Sequence, residues 1–191
     1  PITLNFHKDG KPLVWTGQSS KTLSSSPAKV VRVSAGTAGD VRLNVRTTME
    51  FDGGIGFDVR AVTERAGELS DVVLEIPLLK ERVPYYAGMG IFGGKRPKEW
   101  RWSWNQRPAR WAEQGSNLEY FLWLGGVQGG LYVRIKSPRG DWEKRPDSGV
   151  EFREEANGRV VLRVRTGPKS VQAGREMQFS FRLLPTPLKP A

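Results

Sequence analysis

Val41-Arg42-Leu43-Asn44-Val45-Arg46-Thr47-Thr48-Met49-Glu50-Phe51 alternates apolar with polar side chains along its whole length. A period of two belongs to a strand with one buried face, so Val41, Leu43, Val45, Thr47, Met49 and Phe51 are expected to face a core. Asp52-Gly53-Gly54 then turns the chain, and Phe57-Asp58-Val59-Arg60-Ala61-Val62-Thr63 is expected to pair back on it. Such a pair has a partner on each side only if more strands follow, and they do. Toward the N-terminus, residues 30–34 form a short apolar strand, residues 18–27 are Ser-rich and read as loop, and Ile2 to Phe6 alternates before the hairpin-type turn Asp9-Gly10, after which residues 13–15 can return antiparallel.

The same punctuation continues toward the C-terminus. Residues 72–76 make a strand closed by Pro77, residues 85–97 are Gly-rich without a period and read as a long loop, and residues 118–124 and 131–136 are apolar strands. Residues 150–154 and 159–166 flank Asn157-Gly158, the strongest hairpin signal of the chain. Val160, Leu162 and Val164 are expected inward and Arg159, Val161, Arg163 and Arg165 outward. Residues 177–183 complete the set. Roughly a dozen strands with little helix and no tandem repeat predict an all-β fold, an antiparallel β-sandwich over residues 1–184, with the proline-rich residues 185–191 as a linker toward an absent downstream domain. The chain starts at Pro1 without an initiator Met and is expected to be an excised or processed fragment.

Composition narrows the chemistry. The 191 residues contain no cysteine and one histidine, His7, so thiolate chemistry, a disulfide framework and a His-rich metal cluster are excluded, and neither a metal nor another cofactor is expected. No Gly-x-Ser-x-Gly elbow occurs, and no catalytic residue is assigned, although Glu99, Glu113 and Glu119 lie near the Trp-rich region. No apolar run is long enough for a membrane span. The formal net charge of +10 favours polyanions as partners, while the alternating arginines also suit a solvated sheet face.

The other informative stretch is Lys95-Arg96-Pro97-Lys98-Glu99-Trp100-Arg101-Trp102-Ser103-Trp104-Asn105-Gln106-Arg107. On an extended backbone Trp100, Trp102 and Trp104 share one face. That face is either core, with arginines at its rim, or a stacking platform on which sugar rings pack their C–H faces. Arg96, Arg101, Gln106 and Trp123 are the accompanying candidates for carbohydrate binding or a domain interface. Arginine and aromatics also suit single-stranded nucleic acid, but no module signature supports that partner.

Glu50-Phe51-Asp52-Gly53, Leu74-Glu75-Ile76-Pro77-Leu78, Gly93-Gly94-Lys95-Arg96-Pro97, Trp100 to Gln106, Trp123 to Leu131 and Thr186-Pro187-Leu188-Lys189-Pro190 follow one another in an order that resembles the β-sandwich domain of glycoside hydrolase family 123, the domain that precedes the catalytic barrel. The resemblance spans residues 41–190. It implies a non-catalytic accessory domain in a secreted or periplasmic bacterial carbohydrate enzyme, with carbohydrate and the downstream barrel of the same parent chain as partners. In that family catalysis uses an adjacent Asp-Glu pair on the barrel, and this chain has no Asp-Glu dipeptide. The leading expectation is therefore an accessory domain that packs on the barrel through residues 93–106 and the Trp123 region. Two alternatives stand beside it: an independent module for an acidic or amino-sugar polysaccharide, and a β-sandwich polysaccharide lyase.

Overall fold

The computed structural model describes residues 1–89, 91–103, 120–135, 141–142 and 148–187. Strand β1 (Thr3–Lys8) meets β2 (Lys11–Pro12) across Asp9 and Gly10, whose φ angles of 52° and 72° are both left-handed, as a two-residue type I′ hairpin requires. The chain then crosses to a second sheet and builds a meander from β3 (Thr16–Ser25), β4 (Lys29–Ala38), β5 (Val41–Glu50) and β6 (Ile55–Thr63). Short β7 (Gly67–Leu69) leads to β8 (Asp71–Leu79), and a 3-10 turn at Lys80–Arg82 joins it to the hairpin of β9 (Tyr85–Gly88) and β10 (Ile91–Lys95). After β11 (Glu99–Ser103) come the hairpin β12 (Tyr120–Gly126) and β13 (Gly129–Ile135), then β14 (Gly149–Glu154) and β15 (Arg159–Arg165). β16 (Lys169–Val171) and β17 (Glu176–Thr186) follow, giving seventeen strands among the described residues.

Two antiparallel sheets result, one of six strands in the order β11-β14-β15-β8-β1-β2 and one of nine in the order β10-β9-β12-β13-β17-β6-β5-β4-β3, with β16 and β7 paired separately. The core lies between the large sheets. Phe6, Leu74, Phe152 and Leu162 come from the smaller one, and Leu122, Leu124, Phe179 and Phe181 from the larger. Phe179 takes ring edges from both Phe6, at 5.7 Å, and Trp142, at 5.1 Å. Burying each such side chain contributes about 2 kcal/mol, so the interior dominates the stability. Val160, Leu162 and Val164 are fully buried as their alternation requires. On the opposite face of β15, Arg163 binds Glu75 at 2.6 Å and Glu155 at 2.7 Å, and Arg165 binds Asp71 at 2.7 Å.

The antiparallel β-sandwich is the expected fold, but four local expectations change. Residues 18–27 were expected as loop, yet β3 occupies most of them: it is the outermost strand of the nine, all ten residues are exposed, and backbone pairing with β4 alone holds it, with register irregularities between Thr16 and Ser19 and between Thr22 and Ser24. An exposed edge needs no apolar period. Within residues 85–97, expected as a long loop, Tyr85–Gly88 and Ile91–Lys95 pair as β9 and β10, their period hidden by an irregularity between Ile91 and Gly94. Met49 and Phe51, expected inward, are 46% and 70% exposed. Burial falls along β5 from Val41, fully buried, to Met49 near its end, and Phe51 lies beyond the strand in the turn.

The fourth change concerns prolines. β8 continues through Pro77, which pairs with Val161 of β15, and β17 continues through Pro185 to Thr186, which takes the first two residues of the expected linker into the sheet. In both strands the second neighbour has already ended: β1 pairs β8 only as far as Glu75, and β6 pairs β17 only as far as Leu183. A missing N–H on an unpaired side interrupts no ladder.

Candidate functional site

The tryptophan run enters the structure as β11, where Trp100 lies opposite Phe152 and Trp102 opposite Val150. Both partners are core residues, so the shared face read from the alternation points into the sandwich. Trp100 stacks on Phe152 with centroids 5.5 Å apart and tilts against Tyr86 at 6.0 Å, while Trp102 is 5% exposed. Trp102 therefore offers no surface for a sugar ring. Trp104 and Gln106 lie outside the described residues, as do Glu113 and Glu119. Arg101 is exposed on the outer face, opposite Glu151.

Arg96 is internal rather than a ligand-facing cation. Its Nε donates to the Val83 carbonyl, Nη1 to the Pro97 carbonyl and Nη2 to Glu154 Oε1, each at 2.7 Å. The guanidinium also lies 5.8 Å from the centroid of the Phe152 ring. Glu154 accepts a second cation, Lys80 Nζ, at 2.8 Å. Hydrogen bonds from Lys80 and then Arg96 hold its carboxyl below the usual glutamate range. This cluster joins the turn after β8, the strand β10 and the end of β14. It was not anticipated from the sequence, because the Arg96–Glu154 contact spans 58 positions.

Trp123 occupies a different place. Leu122 and Leu124 point into the core, so the residue between them faces outward from the nine-stranded sheet. Its indole lies across the cross-strand pair Gly125 and Gly130 and donates from Nε1 to Thr186 Oγ1 at 3.0 Å. Only glycines fit beneath it: a Cβ on Gly125 would stand 2.3 Å from Cζ2, and one on Gly130 2.8 Å from Nε1. Opposite Trp123, Tyr132 stacks on Phe121 at 5.4 Å, and burial pushes its phenol above the usual range.

The β12–β13 hairpin tip leans toward the 3-10 turn, where Arg82 Nη1 donates to Gln128 Oε1 at 3.1 Å. Between them opens a pocket of about 700 Å³ lined by Leu78, Leu79, Val83, Pro84, Leu131 and Thr186 among others. Its surroundings carry Val127 at 95% exposure, Leu79 at 55% and, on the neighbouring β9, Tyr85 at 44%. These are large apolar surfaces for a chain so rich in charge. Among the described residues, no three His, Cys, Asp or Glu side chains converge as a metal site, and no helix is long and apolar enough to cross a membrane. Among the described residues, this end beside Trp123 thus combines exposed apolar side chains with a pocket, a surface able to receive a partner.

Residues 1–187 match the family described as glycoside hydrolase 123, third domain. No curated protein matches the sequence. Among solved structures, the heparan sulfate lyase HepC from Pedobacter heparinus superposes with a TM-score of 0.54 at 10% identity, over 99% of this chain and 24% of that one. At that identity the likeness is one of fold alone, and this chain spans about a quarter of the lyase. A galactose mutarotase related enzyme from Lactobacillus acidophilus matches with a TM-score of 0.44 and 9% identity over 88% of this chain and 71% of that one, too distant to carry an argument.

Proposed function

The chain belongs to glycoside hydrolase family 123 as its third domain, and from that premise we propose that it is a non-catalytic β-sandwich that docks on the neighbouring catalytic barrel of its parent enzyme. The observation that supports this reading is the apolar end built from the Lys80–Arg82 turn and the β12–β13 hairpin. Leu79 and Val127 stand exposed there around a pocket of about 700 Å³. A domain working alone leaves few such surfaces open to water, and a domain of a larger enzyme has a partner to cover them. Trp123, packed on Gly125 and Gly130 and bonded to Thr186 of the pocket lining, braces the hairpin from its outer face. The tryptophan run takes no part in the docking surface through Trp100 or Trp102, whose rings serve the core.

The reading extends to a secreted or periplasmic bacterial parent that acts on carbohydrate. It is tested by mixing the domain with the remainder of the parent enzyme and measuring association by calorimetry. Leu79→Glu and Val127→Glu are expected to weaken binding about tenfold each while leaving the domain's unfolding temperature within a few degrees, because both side chains are exposed. Association that survives both substitutions, but is lost on reversing charges along the outer face of β15, would place the interface elsewhere and sink the proposal.

A further inference from the structure

A second groove opens between β1 and the β3–β5 end of the nine-stranded sheet. Trp15, in the segment that crosses from β2 to β3, forms its wall. The indole stands edge-on to Phe6, 5.6 Å between centroids and at 85°, and passes over Gly36 of β4, where even a Cβ would touch Cε3 at 3.7 Å. Trp15 is half-buried, held by the core on one edge and open along the groove. The floor is supplied by Leu43 and Val45 of β5, and the enclosed space is about 500 Å³, within the range of clefts that hold small ligands.

The polar part of the lining is distinctive in kind. Asn5, Gln18, Ser20 and Ser34 supply amides and hydroxyls, and no side chain that lines the groove is charged, on a chain with ten more cationic than anionic groups. The hydroxyls are also linked. Arg32 Nε donates to Ser20 Oγ at 2.8 Å from outside the lining, and Ser20 Oγ lies 3.0 Å from Ser34 Oγ. Ser20 Oγ accepts from Arg32 and shares one hydrogen with Ser34 Oγ, either oxygen donating, so one of the two hydroxyl hydrogens is left to point at a ligand. Asn5 Nδ2 reaches Thr3 Oγ1 at 3.3 Å and Gln18 Nε2 reaches the Trp15 carbonyl at 3.5 Å, so both amide oxygens remain as acceptors.

An indole wall, an apolar floor and uncharged donors and acceptors on the rim match one class of ligand: a ring with an apolar C–H face and neutral hydroxyls at its periphery. A phosphate or uronate polymer would find no charged side chain among the described residues that line the groove, and a lipid tail would leave the amide oxygens of Asn5 and Gln18 and one serine hydroxyl hydrogen without partners. We propose that the Trp15 groove binds an uncharged pyranose segment, with the sugar face on Trp15 and its hydroxyls on Gln18, Asn5 and Ser34. The proposal stands apart from the docking surface, which lies by β12 and β13.

The chain is titrated with neutral tetrasaccharides of β-linked glucose, galactose and N-acetylglucosamine, and with tetragalacturonate, following the indole N–H resonance of Trp15 as assigned through Trp15→Phe. At least one neutral tetrasaccharide is expected to shift that resonance saturably, with tetragalacturonate binding there at least about tenfold more weakly. Trp15→Ala is expected to weaken the neutral ligand about tenfold, and Gln18→Ala about threefold. Because Trp15→Ala also removes a contact with Phe6, the exposed Gln18→Ala keeps the test independent of folding, and Leu79→Glu at the other end is expected to leave affinity unchanged. The proposal is overturned if no neutral tetrasaccharide moves the Trp15 resonance at about 10 mM, if tetragalacturonate binds there as tightly, or if Gln18→Ala binds as the unaltered chain does.

Discussion

At Arg96 a charge is held almost wholly away from water, its side chain 3% exposed, and three N–H groups end on protein oxygens. Truncating it orphans two carbonyls and one contact of Glu154, so Arg96→Ala is expected to cost about 3 kcal/mol in chemical denaturation. Arg96→Lys is expected to recover under half of that, because one ammonium cannot reproduce the fork. Glu154 carries the pH dependence of the cluster. Its folded pKa is lowered, so its stabilisation is complete above the ordinary glutamate range and is lost as pH falls through the lowered value. The difference in unfolding temperature between the unaltered chain and Glu154→Gln is therefore expected to be full at neutral pH and to shrink as pH falls below the ordinary glutamate range; an unchanged difference would show that the carboxylate charge contributes nothing. Trp142, 1% exposed, has an Nε1–H with no partner among the described residues. Trp142→Phe is expected to be far milder than Trp142→Ala, which opens a cavity against Phe179 at a cost of about 4 kcal/mol. The alternation of Trp100 and Trp102 was readable from the sequence, but the face they take was not: a period of two fixes which residues share a side, and only the partner strand, here Phe152 and Val150, decides whether that side is wet.

At the scale of the strand, the legible elements are those with a buried face and a turn that dictates its own residues. Asp9-Gly10, Asp52 to Gly54 and Asn157-Gly158 each mark a hairpin that the structure contains. β3 was illegible because nothing covers it, and β8 and β17 were read as too short because Pro77 and Pro185 look like stops until the unpaired side of each strand is known. The β12–β13 hairpin depends on glycine for space. A Cβ on Gly130 would approach the Leu124 carbonyl oxygen to 2.5 Å, so Gly130→Ala is expected to destabilise by about 3 kcal/mol. Adding Trp123→Ala is not expected to restore stability, since the clash is with backbone; restoration would assign the requirement to the indole alone. For β3, hydrogen exchange gives the check. Its amides are expected to exchange well before those of β5, which pairs on both sides.

Across the whole molecule, the two sheets are closed by strands far apart in the sequence. β8 lies between β1 and β15, and β17 lies between β6 and β13. The smaller sheet is complete only with β15 and the larger only with β17, so a chain ending at residue 175, which splits the larger sheet between β6 and β13, is expected to show no cooperative unfolding transition, and the full chain to fold in milliseconds to seconds as non-local sheets do. Arg60, Arg163, Arg165 and Arg182 meet carboxylates on the sheet faces, which neutralises them locally and leaves the net charge of +10 with the other basic side chains. The margin of the larger sheet has a further consequence. Among the described residues no strand pairs with the outer side of β3, which leaves ten residues as a template on which another copy could add itself strand by strand. Serines, Lys21 and two kinks in register are what blunt that template. Converting Ser19, Ser20 and Thr22 to valine is expected to leave the fold intact and to yield filaments that bind thioflavin, so the least conspicuous strand of the sandwich is the one that keeps it from polymerising.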